Sequence, residues 1–285
     1  MAPPQIYAEL LDEGRYYCSE REMYRILTEN KQVKERRDQR RHPAYTAPEL
    51  IARGPNEVWS WDVTMLRGLR PFEYFYLYVM MDIFSRYIVG WLLALCEKAD
   101  YAERLIQECY DREEILPGQL TVHSDNGPIM IATQTTDLLR NLDAKISNSR
   151  PYVSNDNPFS ESQFKTMKYR PDFPKNMADI DVAREFCRSY FPWYNHEHHH
   201  SGLSMLTPHE VHRGAWGARV AGRQRTLDRA YEAHPERFIR GRPAAKGIPS
   251  EVWINKPTRT VLTLEANPRS VEVAAQVAGR AQLLL

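Results

Sequence analysis

Three carboxylates sit where the local code does not require them. Asp62 stands inside the run Val58-Trp59-Ser60-Trp61-Asp62-Val63-Thr64, which is aromatic and β-branched and reads as a strand. Asp is depleted in strands, and a buried carboxylate needs a partner or a cation. Asp125 closes the short strand Leu120–Asp125, just before the turn pair Asn126-Gly127. Asp-Asn-Gly is a common turn, so Asp125 alone says little. Glu161 is the fourth residue of a helix opened by Asn157 as N-cap and Pro158 at its first position. The helix dipole favours an acid there, so Glu161 alone says little too. Taken together, they are hard oxygen ligands from a strand centre, a neighbouring strand end and a helix. Mg²⁺ suits such a set, keeping waters and binding phosphates through one or two carboxylates. The expectation is two Mg²⁺ ions about 4 Å apart, one activating a water or 3′-hydroxyl, the other stabilising the leaving 3′-oxygen. Such an in-line displacement needs neither ATP nor a covalent enzyme intermediate.

Lys165 and Lys168 follow Glu161 by four and seven residues and share its helical face. Lys165 reads either as an i,i+4 partner of Glu161 or, with Lys168, as a contact to DNA near the cleaved bond. Other chemistry-bearing residues carry less. Cys18, Cys96, Cys109 and Cys187 form no CxxC pair, which suits a reduced, cytoplasmic protein. His196, His198, His199 and His200 lack a cysteine at ligand spacing and read as a solvated or DNA-facing loop rather than a metal site. No GxxxxGK[ST] loop offers a seat for nucleotide hydrolysis.

The elements that must hold these residues follow from the pattern. Residues 1–30 read as two short helices. Ile6, Leu10 and Leu11 line the first and Gly14 ends it; Ser19 with Glu22 forms a capping box for the second. This is either a helix-turn-helix or a plain helical hairpin. A basic linker, 31–55, follows. From Asn56 three β-rich runs (58–64, 74–84, 87–95) precede a helix over Lys98–Ile115, the strand ending at Asp125, a helix over Thr133–Leu142, a strand over Ala144–Ser149 and the helix of Glu161. That order describes an α/β layered domain. Asp179–Asn195 is a further helix that Pro192 is expected to kink. Thr207 with Glu210 is another capping box. The division expected is a helical segment 1–30, linker 31–55, catalytic core 56–215 and a basic extension and tail 216–285.

The chain has 285 residues, 42% apolar and 26% charged, enough for a core without staples. No stretch approaches 18 apolar residues, so no membrane span is expected. The N-terminus lacks the basic start and apolar region of a signal peptide. The net charge of +1 hides an uneven distribution. Residues 31–42 carry +4, including Arg36, Arg37, Arg40 and Arg41, and residues 219–247 carry +5, so the rest carries −8. The basic arms are read as phosphate contacts.

The words around the triad resemble a known family. Asp62, Asp125 and Glu161, with 35 residues between the last two, look like the D,D(35)E triad of retroviral integrases and related transposases. WSWDVT (59–64), YFYLYVMMDIFSRYIVGW (74–91), VHSDNG (122–127), SRPYVSNDNPFSESQFKTMKYRP (149–171), WYNHEHHHSGL (193–203) and TPHEVHRG (207–214) resemble the second reading frame of insertion-sequence transposases of the insertion-sequence-three type. The resemblance covers about residue 5 to Pro257. It implies an RNase H-like fold, a five-stranded mixed sheet flanked by helices, with the triad on the first strand, after the fourth and on the helix after the fifth. It implies Mg²⁺-dependent cleavage at transposon ends and strand transfer into target DNA, with Mn²⁺ able to substitute. It also implies a homo-oligomer on DNA, in the bacterial cytoplasm at the nucleoid.

The resemblance also ranks the neighbours. Lys168 matches the basic position seven residues after the Glu, and His200 matches a histidine shortly after the WYN word. His123 is read as supporting Asp125 or merely packed. Asn126 and Gly127 are read as shaping the turn, Asn155 and Asn157 as ordering the loop before Glu161. Asp82, also an acid in the family but outside the triad, is read as a structural partner of Arg86. The zinc module of retroviral integrases is absent, so no zinc is expected. The start at Met1 omits part of the usual DNA-binding region, and the end, AQLLL, reads as a read-through tail. Two other functions remain open at this level: a truncated, non-catalytic DNA-binding or assembly protein, and an RNase H-like nuclease.

Overall fold

The computed structural model describes residues 3–30, 45–151 and 153–257. Arg36, Arg37, Arg40 and Arg41 of the linker and the tail after Pro257 lie outside the described residues. The chain divides into two compact units, meeting at Tyr45 and Thr46.

The first unit contains α1 (Pro3–Asp12) and α2 (Glu20–Glu29). Gly14, at φ +71°, turns the chain out of α1 as a glycine can. Ser19 Oγ accepts from the Glu22 amide at 3.3 Å, but Glu22 turns to Arg25 instead of back to Ser19. The expected capping box is therefore only half formed. Within α1 and α2 only Pro3 is buried, and Leu11 and Ile26 stay exposed. Two ten-residue helices bury too little apolar surface for a core of their own.

The second unit is built on a five-stranded sheet. Its strands are β2 (Val58–Arg67), β3 (Tyr74–Asp82), β4 (Ile88–Ala94), β5 (Thr121–Ser124) and β6 (Lys145–Asn148), after the short β1 (Leu50–Ala52). The order is β4-β3-β2-β5-β6. β2, β3 and β4 pair antiparallel, whereas β5 runs parallel to β2 and β6 parallel to β5. The parallel strands need crossovers, supplied by α3 (Ala99–Arg112) before β5 and α4 (Thr133–Asn141) after it. This is the RNase H-like mixed sheet that the sequence implied.

Alternation along β2 separates the two faces. Trp59 and Trp61 join Tyr78, Met80, Leu105, Ile106 and Val122 in a core beneath α3 and α4. On the other face Leu66, Leu77 and Val79 pack against α5 (Pro158–Lys168) and α6 (Ile180–His196) through Phe164, Met167, Tyr190 and Tyr194. α6 runs through Pro192 to His196 as one helix, with Phe191 stacked on Trp91 at 5.3 Å.

α7 (Pro208–His212) carries the reciprocal capping box of Thr207 and Glu210, as its sequence predicts. α8 (Trp216–Ala233) has no fully buried residue, and β7 (Val252–Ile254) returns to pair with β1. These last elements fall in stretches read from sequence as linker and extension. Among the described residues no helix is long and apolar enough to cross a membrane.

Candidate active site

Sheet register brings the first two carboxylates together. The last residues paired across β2 and β5 are Trp61 and Ser124. One step further along the two parallel strands come Asp62 and Asp125, at the end where β2 has an antiparallel neighbour on one side and a parallel one on the other. The carboxyl ends of these two parallel strands therefore carry the two acids side by side. By alternation the side chain of Asp62 belongs to the same face of β2 as Ser60 and Thr64, the face covered by α5.

Each of those three positions meets α5. Ser60 Oγ donates to Asn157 Oδ1 at 2.5 Å and lies 2.6 Å from Ser160 Oγ. Asn157 Nδ2 reaches the Trp61 carbonyl at 3.4 Å. Lys168 Nζ donates to Thr64 Oγ1 at 2.6 Å. Asp62 lies between these anchors, opposite Glu161. Asn157 occupies the N-cap position, yet its side chain makes no cap bond, because it is spent on β2. Ser60, Asn157 and Ser160 are all buried.

The electrostatics follow from this crowding. Burial, opposed by a bond from the Val63 amide, pushes the Asp62 carboxyl up to about 7, and the charges of Asp125, Glu161 and Glu97 push the same way. Lys168 is pulled below its ordinary value by burial, against the attraction of Asp62. Lys165 Nζ stands 4.0 Å from Glu161 Oε2 with both side chains partly exposed, the i,i+4 arrangement its spacing allows. Asp125 Oδ1 accepts from Ser149 Oγ at 2.6 Å, and an open cleft of about 580 Å³ lined by Asp125, Asn126, Gly127, Ser149 and Arg150 adjoins it.

The donor set fits a hard divalent cation. These half-buried acids repel one another, and the cations at hand are Lys168, held by Thr64, and Lys165, 4.0 Å from Glu161. Among the described residues no three His, Cys, Asp or Glu side chains close into a ready-made cage. An open set remains suited to Mg²⁺, which takes one or two carboxylates and fills its shell with water and substrate oxygens.

The other expected site residues divide. His123 is buried on the triad's face, its Nε2 2.8 Å from the Asp156 carbonyl and its Nδ1 3.0 Å from Ser147 Oγ. Burial holds its pKa below the ordinary imidazole value, so it ties β5 to the loop before α5 as a neutral ring. Asn126 donates to the Ser149 carbonyl, fixing the loop that carries Asp125. A Cβ at Gly127 would stand 2.5 Å from Met130 Sδ, so any side chain there would require Met130 to move. His200 is not brought to the triad. Its Nδ1 accepts from the Gly202 amide at 3.1 Å, and burial, with Arg86 and His198 nearby, lowers it to about 4.

Asp82 is structural, and its charge does act on Arg86 as expected, but its hydrogen bonds go elsewhere. Its carboxylate accepts from the Asn56 and Ser85 amides and from Ser85 Oγ, each at 2.7 Å. Arg86 instead lies over the Phe159 ring at 4.2 Å. Ser60 and Thr64 were not singled out from sequence, although polar residues two before and two after a strand acid carry a period-two signal. Nothing in the spacing announces Ser149.

Fold and site define an RNase H-like core with Asp62 and Asp125 at the carboxyl ends of neighbouring parallel strands and Glu161, on α5, near enough to act on Asp62. Integrase core domain models match residues 52–154 and 142–208. The transposase of insertion sequence element IS904 from Lactococcus lactis is 30% identical over 187 residues, 61% of this chain and 70% of that protein. Transposase InsF of insertion sequence IS3A from Escherichia coli is 26% identical over 163 residues, 57% of this chain and 56% of that protein. The chain belongs to the IS3-type insertion-sequence transposases of the integrase-core superfamily. Among solved structures, the catalytic core of BIV integrase has a TM-score of 0.42 at 18% identity, covering 57% of this chain and 98% of that one. The catalytic domain of Mos1 mariner transposase has 0.40 at 13%, covering 48% and 70%.

Proposed function

We propose that this chain cuts and joins DNA at the ends of its insertion sequence, using Asp62, Asp125 and Glu161 as metal-binding carboxylates. The observation that carries the reading is the half-buried Asp62, whose ionisation is opposed by desolvation and by both Asp125 and Glu161. A site that concentrates uncompensated carboxylates is built to receive a cation. Mg²⁺ is the cation proposed, with Mn²⁺ as substitute. When bound, it would supply Lewis acidity toward the scissile phosphate and the attacking oxygen.

The chain's own residues do the rest. Asp62 gives up its carboxyl proton as the site is loaded. The Ser60–Asn157–Ser160 bonds keep β2 and α5 at a fixed separation, and with it the spacing of Asp62 and Glu161. Lys168, held beside the site by Thr64, is placed to donate to a phosphate oxygen, with Lys165 further out on the same face. Arg36, Arg37, Arg40 and Arg41 would add contacts along the DNA backbone. Since two ends must be held at once, the active form is proposed to be a homo-oligomer on DNA, at the bacterial nucleoid.

The test is a strand-transfer assay with the sequences flanking the gene. The wild type should join ends to target in Mg²⁺. Asp62→Asn should lose joining while still binding DNA. An active Asp62→Asn protein would sink the assignment. Hydrolysis of RNA–DNA hybrids without joining would turn it toward a nuclease.

A further inference from the structure

Asp156 is the acid next to the triad that the chemistry does not use. Its side chain is fully buried, one residue before Asn157 and five before Glu161. Arg150 grips it with its backbone amide and its guanidinium, at 2.9 and 2.9 Å on one oxygen and 3.0 Å on the other. A fourth donor comes from far along the chain. Asn255 Nδ2 lies 2.9 Å from Asp156 Oδ1 and 3.1 Å from the Pro48 carbonyl. Both amide protons of Asn255 are thereby used, one on each side.

Asn255 follows β7, whose register with β1 pairs Leu50 with Ile254 and Ala52 with Val252. Its backbone is left-handed, at φ +52°. Asn tolerates that conformation better than other residues with side chains, and its amide is the short double donor the position requires. Ile254 and Val252 are buried with Ala52, Val58, Leu203 and Leu206, so the clasp is packed into the unit. Through the Asp156 carbonyl the same loop is tied to His123, two residues before Asp125.

We propose that Asn255 is a positioning residue for the metal site, latching the segments before and after the sheet onto the loop that delivers Glu161. The proposal rests on the function given above. It assigns a catalytic consequence to a stretch with no active-site word. Loss of the latch should loosen Asn157 and the start of α5, and so misplace Glu161 relative to Asp62. Outer contacts of metal ligands commonly change metal affinity by on the order of ten- to a hundredfold.

The experiment uses the full chain and Mg²⁺ as the probe. Asn255→Gly keeps the left-handed backbone and loses both donors. Asn255→Asp keeps the size and sets a carboxylate against Asp156. Half-saturating Mg²⁺ is read from the rise in Tm and from isothermal titration calorimetry. In parallel, kcat and KM for DNA joining are measured. Both variants should need on the order of tenfold more Mg²⁺, Asn255→Asp the more, with kcat reduced at limiting Mg²⁺ and KM for DNA unchanged. Thr207→Ala, which removes the α7 cap, should lower Tm without moving the Mg²⁺ requirement. Unaltered Mg²⁺ half-saturation in both Asn255 variants would overturn the latch, and so would an equal shift in Thr207→Ala. A wild type that binds Mg²⁺ but joins no DNA would remove the proposed function, while the Mg²⁺ comparison would still decide the latch.

Discussion

Replacing Asp62 by Asn should stabilise the metal-free protein at neutral pH while abolishing its chemistry. An ordinary Asp ionises near 3.8, whereas burial and three neighbouring acids hold Asp62 at about 7. The folded chain therefore keeps a proton that the unfolded chain has released. Stability linked to this group is fully present below pH 4 and is lost as pH rises toward 7. The whole gap is worth about 4 kcal/mol. Between pH 5 and pH 8 the linkage integral gives at most about 2.5 kcal/mol. Asn has nearly the shape of protonated Asp and does not ionise. The stability difference between Asp62→Asn and the wild type should accordingly widen by that amount over the same interval.

Thermal melts in EDTA at pH 5, 6, 7 and 8 measure it. For a domain of this size each kcal/mol shifts Tm by roughly 2–4 °C. The variant's advantage should thus grow by roughly 5–10 °C and level off above pH 7. Saturating Mg²⁺ should invert the order, because binding to the native state alone stabilises the wild type. Parallel curves across the pH range would refute the reasoning, since they would mean that Asp62 ionises as freely in the fold as outside it.

Three further outcomes are expected. Lys168→Met should weaken DNA binding and lower the slope of log K against log salt by about one, as for a single lost phosphate contact; an unchanged slope would leave Lys168 as a tether of Thr64 only. Alanine at Arg36, Arg37, Arg40 and Arg41 should flatten the same slope further, up to about 0.9 per contact on duplex DNA; no change would remove the linker from the interface. Glu113→Ala should destabilise the fold by about 3–5 kcal/mol in urea denaturation, because it strips His212 Nε2 at 3.1 Å and Arg213 at 2.9 Å of a buried partner; a loss under about 1 kcal/mol would show that the pair rehydrates.

The chain order of strands and helices was legible because each long element carries its own period. β2 keeps β3 as its partner from Trp59 to Arg67, past Asp62, while its pairing with β5 ends at Trp61. The three carboxylates were legible by type, since an acid in an aromatic strand has a local cost. What stayed hidden depends on distance along the chain. β1 and β7 are three residues each and some 200 apart, too short for any period. The α8 sequence is basic and lacks a strong apolar stripe, so it reads as an arm rather than a helix. The Asn157 side chain was assigned to its own helix because local caps are common. It points to β2 because Ser60, 97 residues earlier, offers a buried hydroxyl. The hydrogen-bond partners of Asp82 are hidden for a related reason, although its charge does reach Arg86. Arg86 is near in sequence, but the turn after β3 presents amides to the carboxylate first.

Buried Glu113 and Asp156 and half-buried Asp62 are moved in opposite directions by their surroundings. Burial raises Glu113, but His212 and Arg213 outweigh it and draw it down to about 2. Asp156 is drawn down to about 2 by Arg150, with a further bond from Asn255. Asp82 accepts two amides and a hydroxyl. These acids are satisfied, and each joins segments that would otherwise part. Asp62 is instead pushed up, and the flanking anchors to α5 are hydroxyls, an amide and the Lys168 ammonium on Thr64, none of them bonded to its own carboxylate. A guanidinium at that point would hold β2 to α5 equally well, but it would occupy the oxygens a metal must take. Framing the site with Ser60, Asn157 and Ser160 fixes its geometry and leaves its charge unquenched. A structural acid has no use for that arrangement, so the same contrast that costs stability at Asp62 supports its assignment to catalysis.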